Sequence, residues 1–285
     1  MLKIALTGAD GLVGSRIVEL LKTDFEFTPL PQKIMDITNL DQVRKVLDNI
    51  DFDIFLHLAA YTNVAGAETN KDICFKINVD GTKNVFDVVS SSGKKFIYVS
   101  TDFIFDGKTP PYYEDSNPSP AGVYAQSKYE GEKILKDKGM IVRISYPYRA
   151  AFETKRDFFR TFKLYLERKK PLTMITNSLM TPTFIDDIAY GLKYLFQNYS
   201  ATTFHLTGCK AISPYDVSIL IADKFNLDKS LIGKITYEEY IKNKPGLPKL
   251  ADIRSSKNNF WKMRDFEQGL DEIKFQMTNN KSTNE

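Results

Sequence analysis

Cysteine and histidine are scarce in this chain of 285 residues, which has only two of each. Cys74 and Cys209 stand far apart, so they form neither a disulfide framework nor a metal-ligand spacing, and we expect both to be buried thiols in a reducing cytoplasm. His57 and His205 each lie in an apolar, strand-like run, where we expect ordinary packing in the core or at a strand end. The sequence therefore predicts no metal site.

The chain also lacks a long apolar run. No run reaches the roughly 18 residues that a membrane span needs, and the first residues resemble a strand rather than a signal peptide. The net charge of +3 is too small to indicate nucleic acid binding, and there is no basic block. Hydrophobic content of 42% and charged content of 26% are ordinary for a globular domain. We therefore expect a cytoplasmic globular protein that binds neither a membrane nor nucleic acid.

Apolar, strand-like runs alternate with segments of helical period through the first half of the chain. The run at 54–60 is almost continuously apolar, as expected of a strand that is buried on both faces of a sheet. Alternation with short connections is typical of a parallel sheet with right-handed crossovers. The sequence predicts an α/β fold with a doubly wound parallel sheet, whose strands we place at 3–7, 25–30, 54–60, 95–100 and 141–145.

Three glycines follow the first predicted strand and open the first predicted helix: Gly8, Gly11 and Gly14, in the sequence TGADGLVG. Glycines let the backbone turn tightly and approach a pyrophosphate, whose charge is met by the N–H groups and the positive end of the helix. Ligands of such folds collect beyond the carboxyl ends of the strands. The predicted strand ends carry small or hydroxyl side chains that would meet in one cleft, namely Thr7, Ala59, Ala60, Ser100, Thr101 and Ser145.

These features predict a dinucleotide-binding domain of the Rossmann type at residues 1–145 and a smaller substrate lobe, mainly at residues 146–285. A helix at 183–197 is expected to return to the dinucleotide-binding domain. The loop at 242–257 is rich in lysine, and its basic residues either meet a phosphate or are solvated. The polar stretch at 277–285 is expected to be a disordered tail.

Tyr124 and Lys128 stand four residues apart in a predicted helix and therefore share one helix face. The same spacing occurs at three other places in this chain, but only this pair follows the end of a predicted strand at Ser100 and Thr101. A neighbouring ammonium favours the phenolate, so we expect Lys128 to lower the pKa of Tyr124. The hydroxyl of Thr101 would then hold a substrate oxygen while Tyr124 gives or takes its proton.

Seven motifs occur in order between residues 1 and 189, and they are TGADGLVG (7–14), HLAAYTNVAGAE (57–68), KINVDGTKNV (76–85), YVSTDFIFDG (98–107), GVYAQSKYEGE (122–132), VRISYPY (142–148) and TPTFIDDIA (181–189). In these motifs the chain resembles the extended short-chain dehydrogenase/reductases and, within that superfamily, the dTDP-4-dehydrorhamnose reductases. The resemblance implies NAD(P)H-dependent reduction of a keto group on a nucleotide-linked or related sugar. The hydride would pass from the reduced nicotinamide to the carbonyl carbon.

By this resemblance, Thr101, Tyr124 and Lys128 are the catalytic residues, and Asn78 helps to organise the lysine. Tyr124 would be the general acid, and Lys128 would also hold the nicotinamide ribose. The residues that would bind the cofactor, with Asp36 on its adenine side, are Gly8, Asp10, Gly11, Leu12, Val13, Gly14, Asp36, Ile37, Leu58, Ala59, Ala60, Tyr61, Ser100, Tyr124 and Lys128. The residues that would bind the substrate are Thr62, Val64, Asp102, Phe103 and Tyr146.

The departures from the family pattern fall on the substrate side. Phe103 stands where the family usually has a tyrosine, which removes a substrate-facing hydroxyl. The late Arg-Pro element of the family is only echoed by Leu247-Pro248-Lys249, and lysine replaces arginine as a phosphate partner only as a point charge. These departures concern the recognition of the nucleotide half of the substrate rather than the chemistry.

The second predicted strand ends in the sequence TPLPQK (28–33), with no acidic residue and one base. An acidic residue at this point holds the ribose hydroxyls of NAD, whereas a base accommodates the extra phosphate of NADP. We therefore expect NADPH or NADH as the cofactor, with Gln32 and Lys33 favouring NADPH.

Two alternatives stay open at this point. One is an epimerase or dehydratase of nucleotide-linked sugars, although the stretch at 100–107 favours a reductase. The other is a non-catalytic, dinucleotide-binding regulatory subunit that resembles the beta subunit of methionine adenosyltransferase. The intact set of predicted catalytic residues argues against that second alternative. The resemblance also allows a homodimer.

Overall fold

The computed structural model of this chain describes residues 1–243 and 247–282. Its strands are β1 (Lys3–Thr7), β2 (Glu26–Leu30), β3 (Ile54–His57), β4 (Lys95–Thr101), β5 (Met140–Ile144), β6 (Pro147–Tyr148), β7 (Leu172–Ile175), β8 (Thr183–Phe184), β9 (Thr203–His205) and β10 (Ile232–Ile235). Its α-helices are α1 (Gly14–Leu21), α2 (Leu40–Leu47), α3 (Val64–Thr69), α4 (Lys71–Phe75), α5 (Thr82–Ser91), α6 (Val123–Leu135), α7 (Phe158–Glu167), α8 (Ile185–Gln197), α9 (Pro214–Phe225), α10 (Tyr237–Tyr240) and α11 (Phe266–Ser282).

A six-stranded sheet in the order β2-β1-β3-β4-β5-β9 forms the centre of the fold. Each neighbouring pair of strands in this sheet is parallel. The prediction of an α/β fold with a doubly wound parallel sheet is therefore confirmed. Because all six strands run the same way, their carboxyl ends lie along one edge of the sheet, which is where ligands of such folds bind.

Alternate residues of β1 point to opposite faces of this sheet. On one face, Ile4 and Leu6 pack with Ile17 of α1 and Leu192 of α8. On the other face, Ala5 packs in a second cluster with residues of α2 and α5. Burying an aliphatic side chain stabilises a fold by about 1.5–3 kcal/mol, so both layers hold the strand ends in place. Helix α8 thus packs on the central sheet, while the division into two domains at residue 145 stays a prediction.

A smaller aromatic cluster lies beyond β5. Tyr148 and Phe184 pack there with Phe159 of α7 and with Phe266 and Leu270 of α11. Two short parallel pairs, β6 with β8 and β7 with β10, belong to the same part of the chain. This cluster fixes the segment that follows β5, which forms one wall of the cleft described below.

The last helix contradicts the expectation of a disordered tail. Helix α11 runs to Ser282, so residues 277–282 are helical, and residues 283–285 lie outside the described part of the chain. Leu270 and Ile273 are buried, and Met277 packs against the same cluster. Spacing of three or four residues continues the apolar stripe into a stretch whose composition is polar, which is why composition alone was misleading.

The scarce cysteines and histidines are placed almost as expected. His57 in β3 and His205 in β9 are fully buried, and Cys74 is buried as well. Cys209 is exposed, so the expectation of two buried thiols is wrong for this residue. It lies in the connection between β9 and α9, outside any strand or helix.

Candidate active site

The carboxyl ends of β1, β3, β4 and β5 open into a cleft of about 770 Å³. Thr101, Tyr124 and Lys128 line it, together with every residue predicted to bind the substrate. The predicted cofactor residues also line it, with the exception of Tyr61. Asn78 is buried and does not line the cleft. Residues predicted for three different roles therefore meet in one place.

The glycine turn between β1 and α1 has the geometry of a close backbone approach. Gly8 has a φ of +69°, a value that favours glycine. A Cβ on Gly14 would lie 2.2 Å from the carbonyl oxygen of Gly8, so no larger residue fits there. Helix α1 begins without a side-chain cap, and its first residue lines the cleft. The N–H groups and the positive end of the helix can therefore meet a diphosphate.

The wall predicted for the adenine side follows β2. Asp36 Oδ1 accepts hydrogen bonds from the backbone N–H of Thr38 (2.9 Å) and from its hydroxyl (2.8 Å). The backbone N–H of Asp36 donates to the side chain of Gln42 (2.9 Å). These bonds hold the turn that begins at Asp36 against the cleft. Gln32 and Lys33 are both exposed, and of the two only Gln32 lines the cleft.

Lys128 reaches from α6 to the end of β4. Its ammonium donates a hydrogen bond of 2.8 Å to the carbonyl oxygen of Val99 and lies 4.0 Å from the centre of the Tyr98 ring. Burial lowers the pKa of Lys128 to about 7, and the nearby Glu132 carboxylate partly opposes this change. The lysine therefore contacts a carbonyl oxygen and an aromatic face, and both stabilise its positive charge.

The expected effect of Lys128 on Tyr124 is wrong. Burial raises the pKa of Tyr124 above its ordinary value, and the Asp102 carboxylate adds to the rise. A hydrogen bond with the side chain of Thr101 opposes it. The reason is that helical spacing brings two residues to one face but does not reveal their depth, and here the removal of the phenol from water outweighs its neighbours. The protonated form of Tyr124 is the stable one, which suits a proton donor.

Thr101, Asp102 and Ser145 form a buried hydrogen-bonded group at the ends of β4 and β5. The Thr101 hydroxyl donates to Asp102 Oδ1 (3.1 Å), and the Ser145 hydroxyl donates to Asp102 Oδ2 (2.7 Å). Burial raises the pKa of Asp102 to about 6, although both hydroxyls favour its ionised form. Sequence reasoning named each of these residues but missed the group, because the contact of Asp102 with Ser145 spans 43 residues.

Asn78 joins the strand end after β3 to the catalytic helix. It lies in a π-helical turn at Lys76–Gly81 between α4 and α5, which interrupts the single helix that the period suggests. Its Oδ1 accepts from the Tyr61 backbone N–H (2.7 Å), and its Nδ2 donates to Ser127 Oγ (2.9 Å). Ser127 in turn donates to the carbonyl oxygen of Tyr124 (2.8 Å). Tyr61 and Asn78 thus connect the segment after β3 to the backbone of α6 at Tyr124 without lining the cleft.

Aromatic rings surround the end of the cleft predicted for the substrate. The Phe103 ring meets the Tyr124 ring edge to face with 5.7 Å between centres, and it lies 6.1 Å from the Tyr146 ring. Tyr146 has a φ of +39°, an unusual value for a residue other than glycine. Lys155 also lines this end, and its Nζ donates to Thr62 Oγ1 (2.9 Å). No sequence signal marked Lys155.

The described part of the chain has neither a metal-binding cluster nor a membrane-spanning helix. Within residues 1–243 and 247–282, no group of three His, Cys, Asp or Glu side chains is arranged to hold a metal ion. No helix in that part of the chain has the length and the apolar character needed to cross a membrane.

Comparison with known proteins gives consistent matches along almost the whole chain. A curated dTDP-4-dehydrorhamnose reductase from Aggregatibacter actinomycetemcomitans is 29% identical over 257 residues, covering 84% of this chain and 86% of that protein. The methionine adenosyltransferase 2 subunit beta of Bos taurus is 26% identical over 251 residues, covering 82% and 75%. A crystal structure of dTDP-4-dehydrorhamnose reductase from Bacillus anthracis in complex with NADP has a TM-score of 0.90 and 28% identity, covering 97% of this chain and 100% of that one.

These matches confirm the resemblance that the sequence motifs indicated. A family model described as the RmlD substrate binding domain matches residues 2–278, which is nearly the full length of the chain. The chain therefore belongs to the RmlD substrate-binding domain family.

Proposed function

We propose that this protein is an NAD(P)H-dependent reductase of a keto group on a nucleotide-linked sugar, like the dTDP-4-dehydrorhamnose reductases that it resembles. The observation that carries the proposal is that Thr101, Tyr124 and Lys128 line the same cleft as the glycine turn. A reductase of this kind needs a proton donor and a cofactor site side by side. Tyr124 supplies the proton donor, and the glycine turn supplies the cofactor site.

The cleft fits a nicotinamide dinucleotide. The Gly14 position has no room for a Cβ, and the adjoining end of α1 can meet a diphosphate. The reductase from Bacillus anthracis was solved with NADP, which supports NADPH for this chain as well. When bound, the reduced nicotinamide supplies the hydride. Asp36 and Ile37 would contact the adenine side, and Lys128 would contact the nicotinamide ribose.

The chain itself supplies the proton. The Tyr124 hydroxyl donates its proton to the carbonyl oxygen of the substrate as the carbonyl carbon accepts the hydride, so the product is an alcohol. Thr101 would donate to the same oxygen once its hydroxyl, which donates to Asp102 in this structure, turns toward the substrate. Val64, Phe103 and Tyr146 would enclose the sugar.

Neither alternative is favoured. Proteins named as reductases are among the relatives of this chain, and the reductase from Bacillus anthracis matches it over its full length. The methionine adenosyltransferase 2 subunit beta of Bos taurus has a lower identity to this chain, at 26%. Epimerases and dehydratases share the fold at lower identity, which supports the architecture alone. A homodimer and a cytoplasmic location stay predictions of the sequence.

The test is reduction of nucleotide-linked keto sugars by the purified protein. The protein is mixed with NADPH or NADH and with dTDP-linked and UDP-linked 4-keto sugars, and oxidation of the cofactor is followed by absorbance. Mass spectrometry should show a product that has gained two hydrogen atoms. The corresponding sugars without a keto group serve as controls. Folded protein that binds NADPH but oxidises it with none of these keto sugars would refute the proposal.

A further inference from the structure

Lys155 is a cation in the cleft without a carboxylate partner. Its Nζ donates to the neutral hydroxyl of Thr62 (2.9 Å), and both residues line the cleft beside Tyr146. No carboxylate of the described residues lies within salt-bridge distance of it. A hydroxyl accepts one of the three N–H groups of an ammonium but does not neutralise its charge. The ammonium therefore has both charge and hydrogen bonds to offer to an anion.

The loop that carries Lys155 is held in place by buried charges. Arg160 donates from Nη2 to the carbonyl oxygen of Lys155 (2.7 Å) and from Nε to Asp157 (2.9 Å). Asp157 is buried, and it also accepts hydrogen bonds from the backbone N–H groups of Arg149 (3.2 Å) and Arg160 (2.9 Å). This support fixes the backbone at Lys155. Lys155 itself is exposed, and its side chain lines the cleft from this supported segment.

Two basic residues of the 242–257 loop, which the sequence offered to a phosphate, are paired with carboxylates. Lys249 forms an ion pair with Glu238 (2.6 Å). Arg254 makes two hydrogen bonds to Asp252, of 3.0 Å and 2.8 Å. An anion would have to compete with these carboxylates for either side chain. Lys155 carries no such competitor, so it is more available to an anion than Lys249 or Arg254.

The position of Lys155 favours the substrate over the cofactor. A cofactor diphosphate has its own partners at the glycine turn and the end of α1. Lys155 instead contacts Thr62, a residue of the wall predicted for the substrate. We propose that Lys155 binds the diphosphate of the nucleotide-linked substrate and so selects for a nucleotide-linked over a free sugar. This inference rests on the proposed function and identifies a residue that recognises the nucleotide part of the substrate.

The experiment measures binding without turnover. Titration calorimetry of dTDP, UDP and thymidine into the NADPH-loaded protein is carried out for the wild type, Lys155→Met and Lys155→Arg. Lys136→Met, which removes an exposed lysine at the end of α6 outside the cleft, is the matched control. Thermal melting checks that each variant is folded.

Because Lys155 is exposed and solvent screens its charge, Lys155→Met should weaken the binding of the nucleoside diphosphate by about threefold or more. It should also flatten the salt dependence of that binding, because salt screens the lost charge. Lys155→Arg and Lys136→Met should stay close to the wild type. The affinity for NADPH, titrated alone, should be the same in all four proteins.

Three results would overturn the inference. One is an unchanged affinity of Lys155→Met for dTDP and UDP. Another is an equal loss for thymidine, which would place the effect outside the phosphates. The third is an equal loss for NADPH, which would assign Lys155 to the cofactor. If the wild type binds NADPH but neither nucleoside diphosphate, the proposed function fails and this inference fails with it.

Discussion

The ammonium of Lys128 donates a hydrogen bond of 2.8 Å to the carbonyl oxygen of Val99 and thereby joins the catalytic helix to the end of a central strand. The lysine is almost completely buried, and burial lowers its pKa from an ordinary value of 10.5 to about 7. The unfolded chain therefore holds a proton on this residue between about pH 7 and pH 10 that the folded protein has released. Stability must rise with pH across that window.

We expect Lys128→Met to remove this dependence. The free energy of unfolding of the wild type, relative to that of the variant, should rise by up to about 1.4 kcal/mol per pH unit between pH 7 and pH 10. Urea unfolding of both proteins from about pH 6 to pH 9.5 measures it. Lys133→Met removes an exposed lysine from the same helix and is the control. A difference between wild type and Lys128→Met that stays constant with pH would contradict the assignment.

Much of this site could be predicted from the sequence because its motifs are local. The glycine turn and the pair of Tyr124 and Lys128 each lie within one short segment, so their spacing reveals their relation. The bond between Thr62 and Lys155 could not be predicted, since it spans 93 residues and belongs to no motif. The rise in the pKa of Tyr124 could not be predicted either, because it depends on burial and not on spacing.

Tyr124→Phe tests the proton donor. The change leaves the ring in place and removes the hydroxyl, so we expect the affinity for NADPH to be nearly unchanged and kcat to fall by at least about 10²–10⁴-fold. Cofactor oxidation with a verified keto sugar measures kcat, and fluorescence titration measures the affinity. Tyr129→Phe is the control, because Tyr129 packs against the cluster of Phe105 and Tyr112 and does not line the cleft. This substitution should change kcat only slightly. Equal turnover by the wild type and Tyr124→Phe would show that Tyr124 is not the proton donor.

Asp102→Asn tests the buried carboxylate. Burial raises the pKa of Asp102 to about 6 from an ordinary value of 3.8, so the folded protein binds a proton between about pH 4 and pH 6 that the unfolded chain has lost. The wild type should therefore lose about 2–3 kcal/mol of stability relative to the variant as the pH rises through this window. Denaturant unfolding of both proteins at several pH values measures the loss.

Ser145→Ala is the matched variant for this prediction. It removes a hydroxyl that donates to Asp102 but keeps the titrating carboxyl, so the step in stability should begin at the same pH and extend to higher pH. If Asp102→Asn shows the same pH dependence as the wild type, the step belongs to another group.

The choice between NADPH and NADH depends on the loop after β2. Gln32 and Lys33 are both exposed, but only Gln32 lines the cleft, so we expect Gln32 to have the larger effect on cofactor choice. We expect the wild type to prefer NADPH. Gln32→Glu places a negative charge where the 2′-phosphate would lie, and the ratio of kcat/KM for NADPH to that for NADH should fall by about tenfold or more. Lys33→Ala should lower the same ratio by only about threefold, because solvent screens an exposed charge. The measurement is steady-state kinetics with both cofactors and one keto sugar. A wild type that prefers NADH, or a ratio that neither substitution changes, would show that cofactor choice is made elsewhere along the cleft.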